Sequence, residues 1–499
     1  MTRLMKTKRI DALDALRGFA ILTMVLSGVV PYGVLPAWMY HAQVPPPSHQ
    51  FNPNLPGFTW VDLVFPLFLF ALGAAIPVAL GKKLEKGNSI HAILFKILER
   101  GFLLGFFAIF LRHVRPHVIN PQPQTLHWII AMIGFAMMFF IFTRLPQKWN
   151  KYVKITIRAA GWIGAIILLM LLKYPDDKGF SLFRSDIIII VLTNMVIFGS
   201  IIWLFTRDNI LIRLGIMGLL IAFRLSHSVP GWNQIVWDIT PAPWIYKFYY
   251  LQYLFIVLPA TIIGDLIRKY FYAHNSDQIT ITQSSLNVIK TEPRSRPDNH
   301  DSLSESNTSW STFTYILIII LCFALLIGLL FGLQERYVIQ VTVFSLFICS
   351  LIYYLVEKPL NLSEHLIKKL ISWGIFWLIL GLVFEPYEGG IKKDHPTMSY
   401  YFITTGLSIH ILVAFYILSD RLKKDKWIRL FVENGKNPMI AYVGFANFIW
   451  PILALTGLEK LILQWTASPW IGFIRGLVYT IVLAFLVRFF TRKNLYWRT

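Results

Sequence analysis

Apolar runs of about 20 residues recur along the whole chain, and that spacing constrains the fold more than any other feature. A helix needs about 20 mostly apolar residues to cross the hydrocarbon core of a bilayer, and about fourteen windows meet that length. They lie near 16–30, 60–80, 92–111, 125–143, 153–173, 186–205, 209–224, 248–268, 312–332, 338–356, 366–384, 399–418, 438–457 and 470–490. The windows 16–30 and 209–224 are marginal, and a re-entrant or tilted segment changes the count without changing the class. The fold expected is all-α, a polytopic transmembrane helical bundle of about 11–14 spans.

Composition agrees: 56% of residues are hydrophobic and 15% charged, more apolar surface than a water-soluble chain of this size can hide. The net charge of +21 does not point to nucleic acid, because Lys and Arg sit in short clusters between apolar runs rather than on one face. Such clusters report topology. With the N-terminus inside, the inner loops include KTKR (6–9), GKKLEK (81–86), RLPQKWNK (144–151), RLKKDK (421–426) and the tail 491–499, while segments 31–58 and 225–246 contain no Lys or Arg. Arg112, Arg115, Lys392 and Lys393 are the exceptions. This arrangement puts both termini in the cytoplasm. The basic stretch Met1 to Arg9 is read as leading into a retained first helix, since Asp11 and Asp14 interrupt the pattern of a signal peptide and no small-residue cleavage site stands out. Cys322 and Cys349 lie in apolar runs and suggest packing, not a disulfide or a metal site. The Ser-rich polar stretch 271–310 reads as a flexible cytoplasmic linker between membrane halves 1–270 and 311–499, with no repeat relating them.

Four polar constellations interrupt this apolar background. Asp11, Asp14 and Arg17 are spaced three apart and share one face of the first helix. An Asp14–Arg17 ion pair at the inner edge offsets the cost of placing charge there, and serves equally as an interfacial anchor or as part of a site. The outer segment from Pro31 to Phe58 holds His41 and His49 but no charged side chain, and runs into GFTWVDLVFPLFLF (57–70). Asp62 then stands at the outer end of a span, four residues before Pro66, whose ring leaves a backbone carbonyl without its helical donor. A histidine oriented by a carboxylate can act as a general base near neutral pH. The alternatives are a loop histidine that binds water and an aspartate that caps its helix.

The segment FEPYEGGIKKDHPTMSYYFITTG (384–406) concentrates hydrogen-bonding groups of the kind that suits a carbohydrate; Glu388, Lys392 and Lys393, together with His49, are the candidate acceptor-binding residues. An ordinary polar loop has the same composition. The turn Gly435-Lys436-Asn437-Pro438 opens a helix on the inner side, where backbone amides and Lys436 suit a phosphate, although a proline in the first turn is also simple capping. Arg100 adds a cation within the inner part of a span, with snorkelling as the alternative. Walker A, Rossmann-glycine and HExxH motifs do not occur, so neither an ATP-driven pump nor a zinc protease is supported.

Several of these stretches resemble the heparan-α-glucosaminide N-acetyltransferase family of the transmembrane acyltransferase superfamily, in its bacterial form. The features are RIDALDALRGFAIL (9–22), similar to the family's Asp-x-x-Arg-Gly opening, the dipeptide His41-Ala42, and Gly57 to Pro66 as Gly-x-Thr-x-x-Asp-Leu-Val-Phe-Pro. The stretches 183–195, 250–265, EGGIKKDHPTMSYYFITTG and GKNPMIAY are similar too. The resemblance implies an enzyme of the bacterial inner membrane that uses cytoplasmic acetyl-CoA as co-substrate, without a metal, and delivers the acetyl group to an amino sugar of an extracytoplasmic glycan. It makes His41 the general base or transient acetyl carrier. On physical grounds Asp62 is then expected to orient His41, and inner-face groups to hold the CoA phosphates, the candidates being Arg17, Arg100 and Lys436, with Asn437. The longer spacer between His41 and Gly57 brings in His49 as a second histidine. An O-acetyltransferase and a transporter of sugar or lipid-linked glycan are the rival readings, and a non-enzymatic scaffold gives no reason for a His41–Asp62 corner. Membrane lipids are the expected surroundings and nucleic acid is not an expected partner. A homodimer through apolar span faces is compatible with the pattern, which singles out no such face.

Overall fold

Each apolar window is long enough to close its own backbone hydrogen bonds in lipid only as a helix, and every one of them is helical. The computed structural model describes residues 10–146, 148–176, 178–270 and 309–499, so nearly all of the linker expected over 271–310, and the KTKR cluster, lie outside the described residues. In chain order the long helices are α1 (Asp11–Ser27), α2 (Trp60–Glu85), α3 (Ile90–His113), α4 (Thr125–Phe142), α5 (Lys151–Leu171), α6 (Ile187–Thr206) and α7 (Ile210–Ser226). They continue as α8 (Phe248–Tyr270), α9 (Thr312–Gln334), α10 (Val338–Leu355), α11 (Leu362–Val383), α12 (Met398–Arg421), α13 (Pro438–Leu455) and α14 (Pro469–Arg492). Among the described residues, eleven helices are long and apolar enough to cross a membrane. The other three are α1 and α7, at 17 residues each, and α3, which carries Lys96, Glu99 and Arg100. The protein is an all-α polytopic helical bundle, and the described residues form no β-strand.

Burial sorts the helices. The span windows of α2, α8 and α12 are 78%, 83% and 89% buried, whereas those of α5 and α10 are 11% and 28% buried. The first three form the core, and α5 and α10 turn apolar faces outward, as lipid contact requires. Cys322 and Cys349 are free and buried, in α9 and α10.

Two local devices set the geometry of the centre. Thr59 and Asp62 form a capping box at the start of α2, and Pro66 leaves the Asp62 carbonyl without its helical donor, so Tyr400 Oη donates to that oxygen at 2.9 Å. On the other membrane face, α1 crosses the helix Asp425–Gly435 at glycine on both sides. A Cβ on Gly18 would lie 1.8 Å from the Phe431 carbonyl oxygen, and one on Gly435 would lie 1.8 Å from that of Asp14.

Two of the cations that break the inner-loop pattern are taken up inside the protein. Arg115 contacts Asp186 at 3.1 Å, where Tyr442 also donates, and Lys393 stands 3.8 Å from Asp62. A charge held by an internal carboxylate carries little topological information.

Candidate active site

The outer loop 31–58 folds back onto the mouth of the bundle and is pinned there by Gln43, which is fully buried. Its carboxamide nitrogen donates to the carbonyls of Asp394 and, at 3.0 Å, Pro53, and its oxygen accepts from the Asp394 amide at 2.8 Å. Gly57 N–H also donates to the Ile391 carbonyl at 2.9 Å. These bonds join two loops more than 300 residues apart and bring His41 between two carboxylates.

His41 Nδ1 lies 2.9 Å from Asp62 Oδ1, and His41 Nε2 lies 2.9 Å from Asp394 Oδ2. Burial separates the two acids. The Asp62 side chain is 1% exposed and that of Asp394 is 47% exposed. Asp62 Oδ2 also accepts from the amides of Ala42 at 3.2 Å and Thr59 at 3.1 Å, so this carboxylate caps α2 and faces the imidazole at once. The two alternatives for Asp62 are therefore not exclusive. The amide of Gln43 approaches Nδ1 at 3.3 Å, but the shorter, charged contact with Asp62 favours a proton on Nδ1 and leaves Nε2 as the working nitrogen. Burial disfavours the imidazolium, yet the contacts with Asp394 and Asp62 outweigh it and hold the His41 pKa above its ordinary 6.5. Asp394 is held below its ordinary value: burial works against its charge, and the contact with His41 and the charge of Lys393 prevail.

The other outer candidates separate. Lys393 joins the cluster beside Asp62. Lys392 donates its backbone N–H to Thr397 Oγ1 at 3.1 Å. Glu388 is taken up structurally: Arg224 contacts one oxygen at 2.5 Å and the Met398 amide at the start of α12 donates to the other at 2.8 Å. His49 packs edge-on against Tyr40 and Tyr32, with Nε2 3.2 Å from the Gly33 carbonyl, and stands apart from the His41 cluster. Asp394 was not singled out from the sequence, where two lysines before it make it look locally neutralised.

At the opposite end of α2 lies a cavity of about 570 Å³. Asp62 and Lys82 are 20 residues apart on this helix, about 30 Å at 1.5 Å per residue. The lining includes the basic side chains of Arg17, Lys82, Arg100 and Arg498 with one acidic side chain, Asp14, which Arg17 contacts at 3.1 Å. Four basic side chains against one acidic side chain, itself paired, favour an anionic ligand. Of the inner-face candidates, Arg17 and Arg100 line this cavity. Lys436 and Asn437 do not: Lys436 Nζ meets Asp11 Oδ1 at 3.3 Å, and Asn437 donates to the Leu495 carbonyl at 2.8 Å and accepts from the Trp497 amide at 3.1 Å. With both ends of its carboxamide used, Asn437 anchors the segment that carries Arg498 and Thr499 into the lining. Lys82 was legible only as an inner-loop charge. A small apolar cleft, lined by Ile21, Met24, Ile188 and Tyr442 among others, adjoins the cavity and shares Phe68, Leu104 and Met439 with it. Among the described residues no group of three or more His, Cys, Asp or Glu side chains is arranged to hold a metal ion.

A partly buried histidine–carboxylate cluster at one membrane face and a cationic cavity at the other define a polytopic membrane protein with two chemically distinct sites. The chain belongs to the family described as Domain of unknown function (DUF5009), which matches residues 9–267, just over half of its length. It is also similar to heparan-alpha-glucosaminide N-acetyltransferase of Mus musculus, 34% identical over 103 residues, 21% of this chain and 14% of that protein. The same enzyme of Homo sapiens is 35% identical over 115 residues, 23% of this chain and 14% of that protein. The similarity thus spans about a seventh of these relatives' length.

Proposed function

We propose that this protein is a transmembrane acetyltransferase that moves an acetyl group from acetyl-CoA on the cytoplasmic side to an amino sugar of a glycan on the opposite side, in a bacterial cytoplasmic membrane with both termini inside. The observation that carries this reading is the pair of sites at the two ends of α2, His41 between Asp62 and Asp394 at one end and the cationic cavity at the other. The similarity to two N-acetyltransferases supports the reaction class.

In this reading Arg17, Lys82, Arg100 and Arg498 hold the phosphates of the donor, and its acyl-bearing arm extends toward His41. The cavity lining ends at Phe68, six residues below Asp62, a rise of about 9 Å that such an arm has to cover. Nε2 of His41 takes the proton from the acceptor amine as the amine attacks the thioester carbonyl; the C–N bond forms, the C–S bond breaks, and the proton passes on to the departing thiolate. Asp62 holds the ring and stabilises its protonated form. Asp394, half open to solvent, yields Nε2 to the acceptor. General-base help of this kind contributes roughly 10²–10⁴-fold, with positioning supplying much of the rest.

The test is transfer from radiolabelled acetyl-CoA to glucosamine by purified protein, wild type against His41→Ala and His49→Ala. Loss in the His41 variant alone, with the protein still folded, is the expected result; turnover retained without His41 removes it from the mechanism. Mild alkali then distinguishes an ester product, which is cleaved, from an amide, which survives.

A further inference from the structure

One end of α5 carries a feature that neither the histidine cluster nor the donor cavity uses. The segment 144–158, RLPQKWNKYVKITIR, contains five cations and no carboxylate. Lys151, Lys154, Ile155 and Arg158 follow an i, i+3, i+4, i+7 pattern and so share one face of α5. A groove of about 290 Å³ on that face is lined by Arg144, Leu145, Lys151, Lys154, Ile155 and Arg158. The loop before α5 is tied down at this membrane face by the C-terminal segment: Arg144 N–H donates to the Tyr496 carbonyl at 2.7 Å and Arg498 N–H to the Phe142 carbonyl at 2.8 Å.

Two further observations specify what the groove takes. The positive end of the α5 dipole adds to the charge of its side chains, and like charges at this spacing repel unless an anion lies among them. Leading away from the groove, α5 presents an unbroken apolar surface, with Ile163 58%, Met170 77% and Leu171 72% exposed, and Trp149 and Tyr152 stand exposed at its base as interfacial aromatics do. The groove therefore opens where α5 already faces lipid, and an anionic lipid can place its phosphate among the cations while its acyl chains join that layer. We propose that the groove binds the phosphate headgroup of an anionic phospholipid whose acyl chains lie along α5. The site is independent of the acetyl-transfer reading.

The full chain, purified in neutral detergent, is titrated with dioleoylphosphatidylglycerol, dioleoylphosphatidylcholine or inorganic phosphate, with thermal unfolding and native mass spectrometry as readouts. Phosphatidylglycerol is expected to raise the unfolding temperature and remain bound, and the other two are not. Replacing Lys151, Lys154 and Arg158 by Gln weakens phosphatidylglycerol binding by about fivefold for each cation removed, with unfolding temperature in lipid-free detergent unchanged. If the triple variant does not fold, Lys151→Gln alone is expected to show a single fivefold loss. Undiminished phosphatidylglycerol binding in these variants, or an equal response to phosphatidylcholine, overturns the proposal. A response to inorganic phosphate as large as that to phosphatidylglycerol reduces the groove to an anion site and overturns its lipid part.

Discussion

At His41 two opposing effects meet: an enclosed imidazole prefers to be neutral, and two carboxylates at 2.9 Å prefer it charged. The carboxylates win, so the neutral, proton-accepting form dominates only above the ordinary histidine value of 6.5. Activity therefore falls as pH drops through the raised pKa, and the acidic limb of kcat/KM is expected above pH 6.5. Asp394→Asn removes one of the raising contacts, and its limb shifts to lower pH; a limb that does not move in this variant shows that Asp394 does not set the titration. Asp62→Asn keeps an acceptor for the Ala42 and Thr59 amides but loses the charge facing Nδ1. It is expected to lower kcat by roughly 10²–10⁴-fold with little change in unfolding temperature. The linkage to stability has the opposite sense from activity. A histidine whose folded pKa is raised contributes stability that is fully present below its unfolded pKa and is lost as pH rises through the folded one.

Among the elements, the crossing of α1 with the helix Asp425–Gly435 has the least room to adjust. The atoms that a new Cβ would meet at 1.8 Å are backbone carbonyl oxygens, which move only if a whole helix moves. Arg17 Nη1 also donates to the Gly435 carbonyl at 3.2 Å, so the same crossing holds one of the cavity's cations in place. Gly435→Ala is expected to destabilise the protein by on the order of 3 kcal/mol, measured as thermal unfolding in detergent. Gly215→Ala in α7 is the matched control, because a Cβ there meets nothing within 4 Å. Its expected effect is neutral to stabilising by about 0.5–1 kcal/mol. Similar losses at the two positions would mean that the close crossing is not what Gly435 is needed for.

Across the whole molecule, α2 couples the two sites by length alone, carrying Asp62 in its first turn and Lys82 near its other end. If the cavity holds the donor, removing a cation from it should act on donor binding and leave the chemistry at the other end of α2 nearly untouched. Arg100→Gln is expected to raise the KM for acetyl-CoA by roughly tenfold or more, as for loss of a charge-assisted hydrogen bond, with kcat changed only a few-fold. Steady-state kinetics with varied acetyl-CoA separates the two parameters. An unchanged KM would take Arg100 out of donor binding.

By itself the sequence determined the class of fold, because a span has to satisfy its backbone within its own twenty or so residues and therefore shows as a local pattern. It also marked His41, Asp62, Arg17 and Arg100, each conspicuous as a polar group at or within an apolar run, and the Asp14–Arg17 pair, which depends on contacts within one helical turn. Only the tertiary structure could decide the rest. Asp394 reaches His41 from 353 residues away, and Arg498 enters the cavity because Asn437 grips the segment that carries it. His49 and Glu388 had the right chemistry in the right loops, but each is used in packing or in an ion pair formed with a distant part of the chain. A side chain's type and neighbours in sequence state what it can bind; which partner it meets is set by how the helices pack, and no local pattern encodes that.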